Sequence, residues 1–199
     1  MDLTQRLLDL YACKKGQVGR YPVSSIWAIC NGYKSVEDYF FGEPIEFDAA
    51  IRMSNGVWKH AQIQELLDTK IFEIEKKIAW MPETADFEIV GKCDFIDKAE
   101  NGLIYEIKTS EKLLTMKPWH EWQGKIYCSL FKREKCFILQ PLIDYPIKER
   151  ERLVLKTIGV TERDEIWFKS VVKKLTSFHK KLLEFEEKYK KELQCKLPI

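Results

Sequence analysis

Apolar residues along the chain recur with two different periods, and the switch between them divides it into parts. Over residues 2–14, Leu3, Leu7, Leu10 and Tyr11 return at helical spacing and predict a short amphipathic helix. Gly16, Gly19 and Pro22 break it. Ser24 or Ser25 is placed to cap a second helix over about 25–40, which Gly42 and Pro44 end. Asp48 is placed to cap a third, running to about residue 69, with Ala49, Met53, Val57, Ile63 and Leu67 on or near one face.

The period then shortens toward two. Residues 72–80 alternate in part and read as a strand, as do 86–96 and 103–109. Between the last two, Asn101-Gly102 is a strong hairpin signal. A helix follows over about 118–131, a strand over 135–142, and a fifth strand over 152–159. The tail, about 162–194, reads as one long helix. Its apolar residues Phe168, Val171, Leu175, Phe178, Leu182, Phe185 and Tyr189 alternate steps of three and four, a seam of about three heptads. A helix laid across its own domain is favoured over a coiled-coil dimer, with monomer and homodimer both open. The interleaved Lys and Glu residues of the tail read as a solvated face.

The chain of 199 residues suits one domain: a helical N-terminal part (1–70), an α/β core (71–160) and a C-terminal helix (161–199). Hydrophobic residues make up 45% and charged residues 32%, the composition of a globular protein rather than a disordered one. No stretch approaches a membrane span, and the acidic and polar residues inside the first apolar pattern do not suit a signal peptide, so a cytoplasmic protein is expected. The six cysteines (Cys13, Cys30, Cys93, Cys128, Cys136 and Cys195) are scattered without a CxxC pair, a poor zinc or disulfide framework. Net charge is only +2, from 33 basic and 31 acidic residues, so any nucleic-acid site must be a local patch or cleft.

Candidate chemistry concentrates in GKCDFIDKAENGLIYEIKTS, residues 91–110. Asp94 falls late in the first strand of the expected hairpin. Glu106 and Lys108 fall in the second, two apart and therefore on one face. The Asn-Gly turn brings Asp94 toward that pair. Two carboxylates placed together repel, and burial worsens the cost; a divalent cation between them relieves both. Carboxylate oxygens with open water positions suit Mg²⁺ or Mn²⁺, leaving Lys108 to orient a water or stabilise charge on a phosphate. The plain alternative is an exposed hairpin with Lys108 as a salt-bridge partner. Downstream, Gln123 and Tyr127 share a helical face. Upstream, His60 lies on the third helix.

The order helix His, Asp, E-x-K, then Q-x3-Y resembles the RecB-like branch of the PD-(D/E)XK nuclease superfamily, including its CRISPR-associated exonucleases. The resemblance covers about residues 22–140. It implies a restriction-endonuclease-like α/β fold: a mixed central sheet flanked by helices, with an N-terminal helical cap and a long C-terminal helix. It implies a metal held by His60, Asp94, Glu106 and the main chain of Ile107, and catalysis by Asp94, Glu106, Lys108, Gln123 and Tyr127, the last two near the DNA. Glu75 loosely resembles a further acidic position. The implied activity is Mg²⁺- or Mn²⁺-dependent hydrolysis of DNA, at ends or in single strands, in repair, recombination or the replication of a virus or mobile element. Many CRISPR-associated members bind an iron–sulfur cluster through four cysteines. Cys30 sits where the first would be, but the C-terminal trio is missing, so no cluster is expected. The alternatives are a dimeric structure-selective endonuclease or resolvase, and a catalytically inactive nucleic-acid-binding module of the same fold. With so little net charge, DNA binding would rely on Arg52, Lys59, Lys112, Lys117 and Lys125. Of Trp58, Trp119 and Trp122, two are expected in the core and one free to stack on a base.

Overall fold

Two stretches expected as single strands, 72–80 and 86–96, both bend in the middle, and that shared bend organises the fold. A computed structural model describes residues 15–43, 45–99, 101–110, 112, 114–142 and 153–196. Among them the order is β1 (Arg20–Pro22), α1 (Val23–Cys30), α2 (Val36–Phe41), α3 (Phe47–Glu65), β2 (Phe72–Ile74), β3 (Lys77–Trp80), β4 (Glu88–Lys92), β5 (Phe95–Asp97) and β6 (Ile104–Ile107). Then come α4 (Pro118–Phe131), β7 (Lys135–Pro141), β8 (Leu155–Glu162) and α5 (Glu165–Lys196). The helix expected over 2–14 lies outside the described residues.

The expected mixed sheet is present in two parts, a five-stranded one ordered β2-β5-β6-β7-β8 and a three-stranded one ordered β1-β4-β3. The bent ladder joins them. Ile78 faces Gly91 and Lys77 faces Lys92 in the smaller sheet, and Ile74 faces Phe95 in the larger. Between them, Cys93 N donates to Lys76 O and Glu75 N to Asp94 O, so the pairing passes through the bend without a slip. Glu75 has φ 52°, a left-handed conformation that a side chain disfavours, and its carboxylate bonds Lys92 Nζ at 2.5 Å. Helical periodicity and strand alternation do not report such a bend, because Phe72 before it and Ile78 and Trp80 after it all still pack against a core.

Three other expectations shift. The single helix over 25–40 is two, because Asn31 and Gly32 (φ 75°) end α1 and Ser35 with Asp38 forms a capping box that starts α2. The N-terminal part is not wholly helical: β1 pairs parallel to β4. On α3, Met53 and Val57 are exposed rather than packed, and only Ala50 and Ile63 are buried.

The larger core lies between the sheets, α1, α4 and α5, and includes Tyr21, Ile26, Phe87, Ile104, Ile138 and Leu175. A smaller one, on the other face of the five-stranded sheet, joins Ile63, Phe95, Ile107 and Leu139. Strand β6 feeds both by its period of two. The α5 seam is spent within the chain: Val171, Leu175 and Leu182 are buried, Phe178 packs on Tyr21 and Tyr39, and Phe185 and Tyr189 pack on Phe40 and Phe41. No described helix is long and apolar enough to cross a membrane.

Candidate active site

At the bend the antiparallel β5–β6 ladder stops being main chain to main chain. Phe95 pairs with Tyr105, but at the next step Asp94 uses its side chain: Oδ2 accepts from Ile107 N at 2.6 Å. The freed Asp94 N donates to Glu106 Oε1 at 3.3 Å. Asp94 and Glu106 are thus cross-linked at the point where the two sheets meet. The turn that permits this closes tightly: Gly102 N donates to Ala99 O, and a Cβ on Gly102 would sit 2.0 Å from Asp97 O.

Glu106 shares the larger-core face of β6 with Ile104 and is 2% exposed. Its Oε2 accepts from Lys108 Nζ at 3.1 Å and from Gln123 Nε2 at 2.9 Å. Lys108 Nζ also donates to Gln123 Oε1 at 2.8 Å, so the amide of Gln123 bridges acid and ammonium. Burial, and then the charge of Asp94, push the Glu106 carboxyl up to about 8, against the pull of Lys108. From α3, His60 Nδ1 lies 3.2 Å from Asp94 Oδ1. In the tautomer with its proton on Nδ1 the ring donates to Asp94 and keeps a lone pair on Nε2.

The structure therefore brings His60, Asp94, Glu106, Ile107, Lys108 and Gln123 together. Tyr127 is one turn further along α4, and its hydroxyl is taken up by the chain: it donates to Lys92 O at 2.9 Å and accepts from Lys92 N at 3.2 Å. It pins β4 beside the bend, and with Gln123 it lines a cavity of about 540 Å³ bounded by Arg20, Lys77 and Lys92. Glu75 faces Lys92 rather than the carboxylate pair. Of Trp58, Trp119 and Trp122, only Trp122 packs against the core, where two of the three were expected; Trp58 and Trp119 are exposed.

One neighbour was missed in the sequence. His120 lies three residues before Gln123 on α4, is buried, and has no hydrogen-bond partner for Nδ1. Burial, with Lys108 and Lys117 nearby, lowers its pKa to about 4, which keeps the ring neutral. Its spacing from Gln123 was the available signal, since residues three apart share a helical face.

Among the described residues, no group of three or more His, Cys, Asp or Glu side chains stands arranged to hold a metal ion. The chemistry of Asp94, Glu106 and the Ile107 carbonyl, all oxygen donors, fits an ion that keeps several of its own waters, as Mg²⁺ does. The four described cysteines are unpaired thiols. Burial holds Cys30 and Cys128 protonated, with pKa values raised to about 12 and about 11, and raises Cys93 and Cys136 as well.

No protein-family model matches the chain, and no curated protein matches it in sequence. Solved structures do. The protein SSO0001 aligns over 86% of this chain and 82% of its own, at 18% identity and TM-score 0.54. The alkaline exonuclease LHK-Exo from Laribacter hongkongensis aligns over 98% of this chain and all of its own (100%), at 16% identity and TM-score 0.56. Its complex with dAMP aligns over 91% and 96%, at 17% identity and TM-score 0.58. What these matches establish is the fold: along nearly its whole length the chain is built on the mixed α/β plan of that exonuclease.

Proposed function

We propose that the chain is a divalent-metal-dependent nuclease of the PD-(D/E)XK type, in the RecB-like branch, that hydrolyses DNA phosphodiester bonds at ends or in single strands. The observation that carries this reading is Glu106. Even with the Lys108 ammonium among its three donors, a carboxyl group 2% exposed and facing a second carboxylate stays raised well above its usual range, a cost that a divalent cation would relieve. The fold shared with an alkaline exonuclease, one of whose structures holds dAMP, supports DNA as the substrate. The exposed rings of Trp58 and Trp119 support unpaired bases over a closed duplex.

Asp94, Glu106, the carbonyl of Ile107 and the imidazole of His60 would hold Mg²⁺ or Mn²⁺, which supplies a Lewis acid for the phosphate and a more acidic bound water. The chain's own residues do the rest. Gln123 fixes Lys108 Nζ beside Glu106, so the ammonium stabilises negative charge growing on a phosphate oxygen without reorganising. Ile107 N holds Asp94 in one rotamer. Tyr127 keeps β4 and the bend in place through Lys92.

An inactive binding module has no use for a buried Glu106 set against Asp94. A resolvase dimer through the heptad seam is disfavoured, since rings of β1 and α2 already cover it. The test is digestion of end-labelled and circular DNA, single- and double-stranded, with Mg²⁺, Mn²⁺ or EDTA. Cleavage is expected with either metal and not in EDTA, and Asp94→Ala or Glu106→Ala should slow it by about a thousandfold, equivalent to about 4 kcal/mol. Full activity in EDTA, or in either variant, ends the proposal.

A further inference from the structure

Building on the nuclease reading, we infer that the pocket between α3 and the segment after β6 is a phosphate site, which seats one backbone phosphate of the bound strand beside the scissile one. Its volume is about 310 Å³. Arg52, Asn55, Gly56 and Lys59 form one wall. Their spacing of three, four and seven residues makes a single stripe along α3. Thr109, Ser110 and Lys112 form the other. The walls approach closely at Gly56, where a Cβ would touch Thr109 Oγ1 at 3.4 Å.

The second wall is fixed from below. Gln140, 2% exposed on β7, accepts from Leu114 N at 2.7 Å and donates to Lys112 O at 2.7 Å. Lys112 N donates to Ser110 Oγ at 3.2 Å. A buried amide with both ends used ties the main chain of Lys112 and Leu114 to β7.

The lining chemistry selects an anion. It offers a guanidinium, two ammoniums, two hydroxyls and an amide, and among the described residues no carboxylate and no aromatic ring. Arg, Lys, Ser, Thr and Asn are the side chains that contact phosphate in nucleic-acid complexes, and nothing here could read a base. The pocket adjoins the candidate active site on both walls, since Lys59 precedes His60 and Thr109 follows Lys108. It gathers three of the five cations expected from the sequence, Arg52, Lys59 and Lys112, and leaves out Lys117 and Lys125.

The test uses binding, so that its failure is separable from failure of the nuclease reading. Glu106→Gln protein, and wild type in EDTA as a second background, are titrated with single-stranded oligonucleotides carrying one neutral methylphosphonate at successive positions. One position should weaken binding by roughly ten- to a hundredfold, the loss of a hydrogen-bonded charged contact. Arg52→Ala or Lys59→Ala should remove the sensitivity at that position alone. Either variant should also flatten the salt slope by roughly 0.7 per phosphate lost. Lys188→Ala, which takes the same charge from α5, should change neither. In active protein Arg52→Ala should raise KM by more than it lowers kcat. An even loss across all positions, or no loss, overturns the pocket even if the protein cuts DNA. A position-specific loss keeps the pocket even if it does not. Inorganic phosphate binding as tightly as the oligonucleotide would mark a free-anion site and overturn the proposal as well.

Discussion

Helices α3 and α5 are both long and both carry regularly spaced apolar residues, yet the fold treats them oppositely. The seam of α5 is absorbed: Val171, Leu175 and Leu182 are buried, and Phe178, Phe185 and Tyr189 sit against rings of α1's approach and α2. Along α3, Met53, Val57 and Trp58 are exposed, and Ala50 and Ile63 are the buried residues. What α3 brings is polar: His60 to Asp94, and Arg52 and Lys59 to the basic pocket. The contrast separates a helix kept for cohesion from one kept for its side chains at the site.

The sharpest way to break this comparison is a core truncation. Leu175→Ala should cost about 2–5 kcal/mol of unfolding free energy, read by denaturant titration. A loss below about 1 kcal/mol would mean that α5 is not the brace described.

The next largest effect is on pH and belongs to the site. The folded pKa of Glu106, raised to about 8, exceeds its ordinary value of 4.5, so the folded protein binds more protons between those limits. Its stabilising contribution is complete below pH 4.5 and is lost as pH rises through 8. Metal-free protein should therefore melt at a lower temperature at pH 9 than at pH 6, by up to a few kcal/mol in stability, after the change from other groups is subtracted using Glu106→Gln. Mg²⁺ or Mn²⁺ should shrink the difference. A pH profile identical in Glu106→Gln would show that this carboxyl is not strained by burial.

Turning to α3, His60→Ala should lower cleavage by roughly ten- to a hundredfold, the usual loss when a metal ligand or its orienting partner is removed. Its melting temperature should stay near that of wild type. A large drop in melting temperature instead would make His60 a structural residue and blur the contrast with α5. Smallest of all, Met53→Ser should change stability by less than about 0.5 kcal/mol, because the side chain is already exposed. A larger loss would reveal a packing partner for that face.

Parts of this molecule could be read directly from the chain. The helix expected over 118–131 is α4, Pro118–Phe131, because Pro118 opens it and the apolar spacing sustains it. The strand expected over 135–142 is β7, Lys135–Pro141. That Glu106 and Lys108 share a face follows from the two-residue period of any strand, and the 3.1 Å contact between them agrees with it. Gln123 could be placed on a helix, but not seen to bridge Lys108 and Glu106, since that depends on how α4 lies over β6.

The sequence by itself determined the helix over 118–131, the strand over 135–142, the α5 seam and the local pairing of residues two, three or four apart, because strand and helix periods act over short distances. Only the tertiary structure decided the rest. It bent the 72–80 and 86–96 ladder at Glu75 and Asp94, left Met53 and Val57 in solvent, committed the Tyr127 hydroxyl to Lys92, and walled a basic pocket with Arg52 and Lys112. The reason is common to all four. Each depends on contacts between residues far apart in the chain, where packing against a particular neighbour outweighs local preference and no period records the outcome.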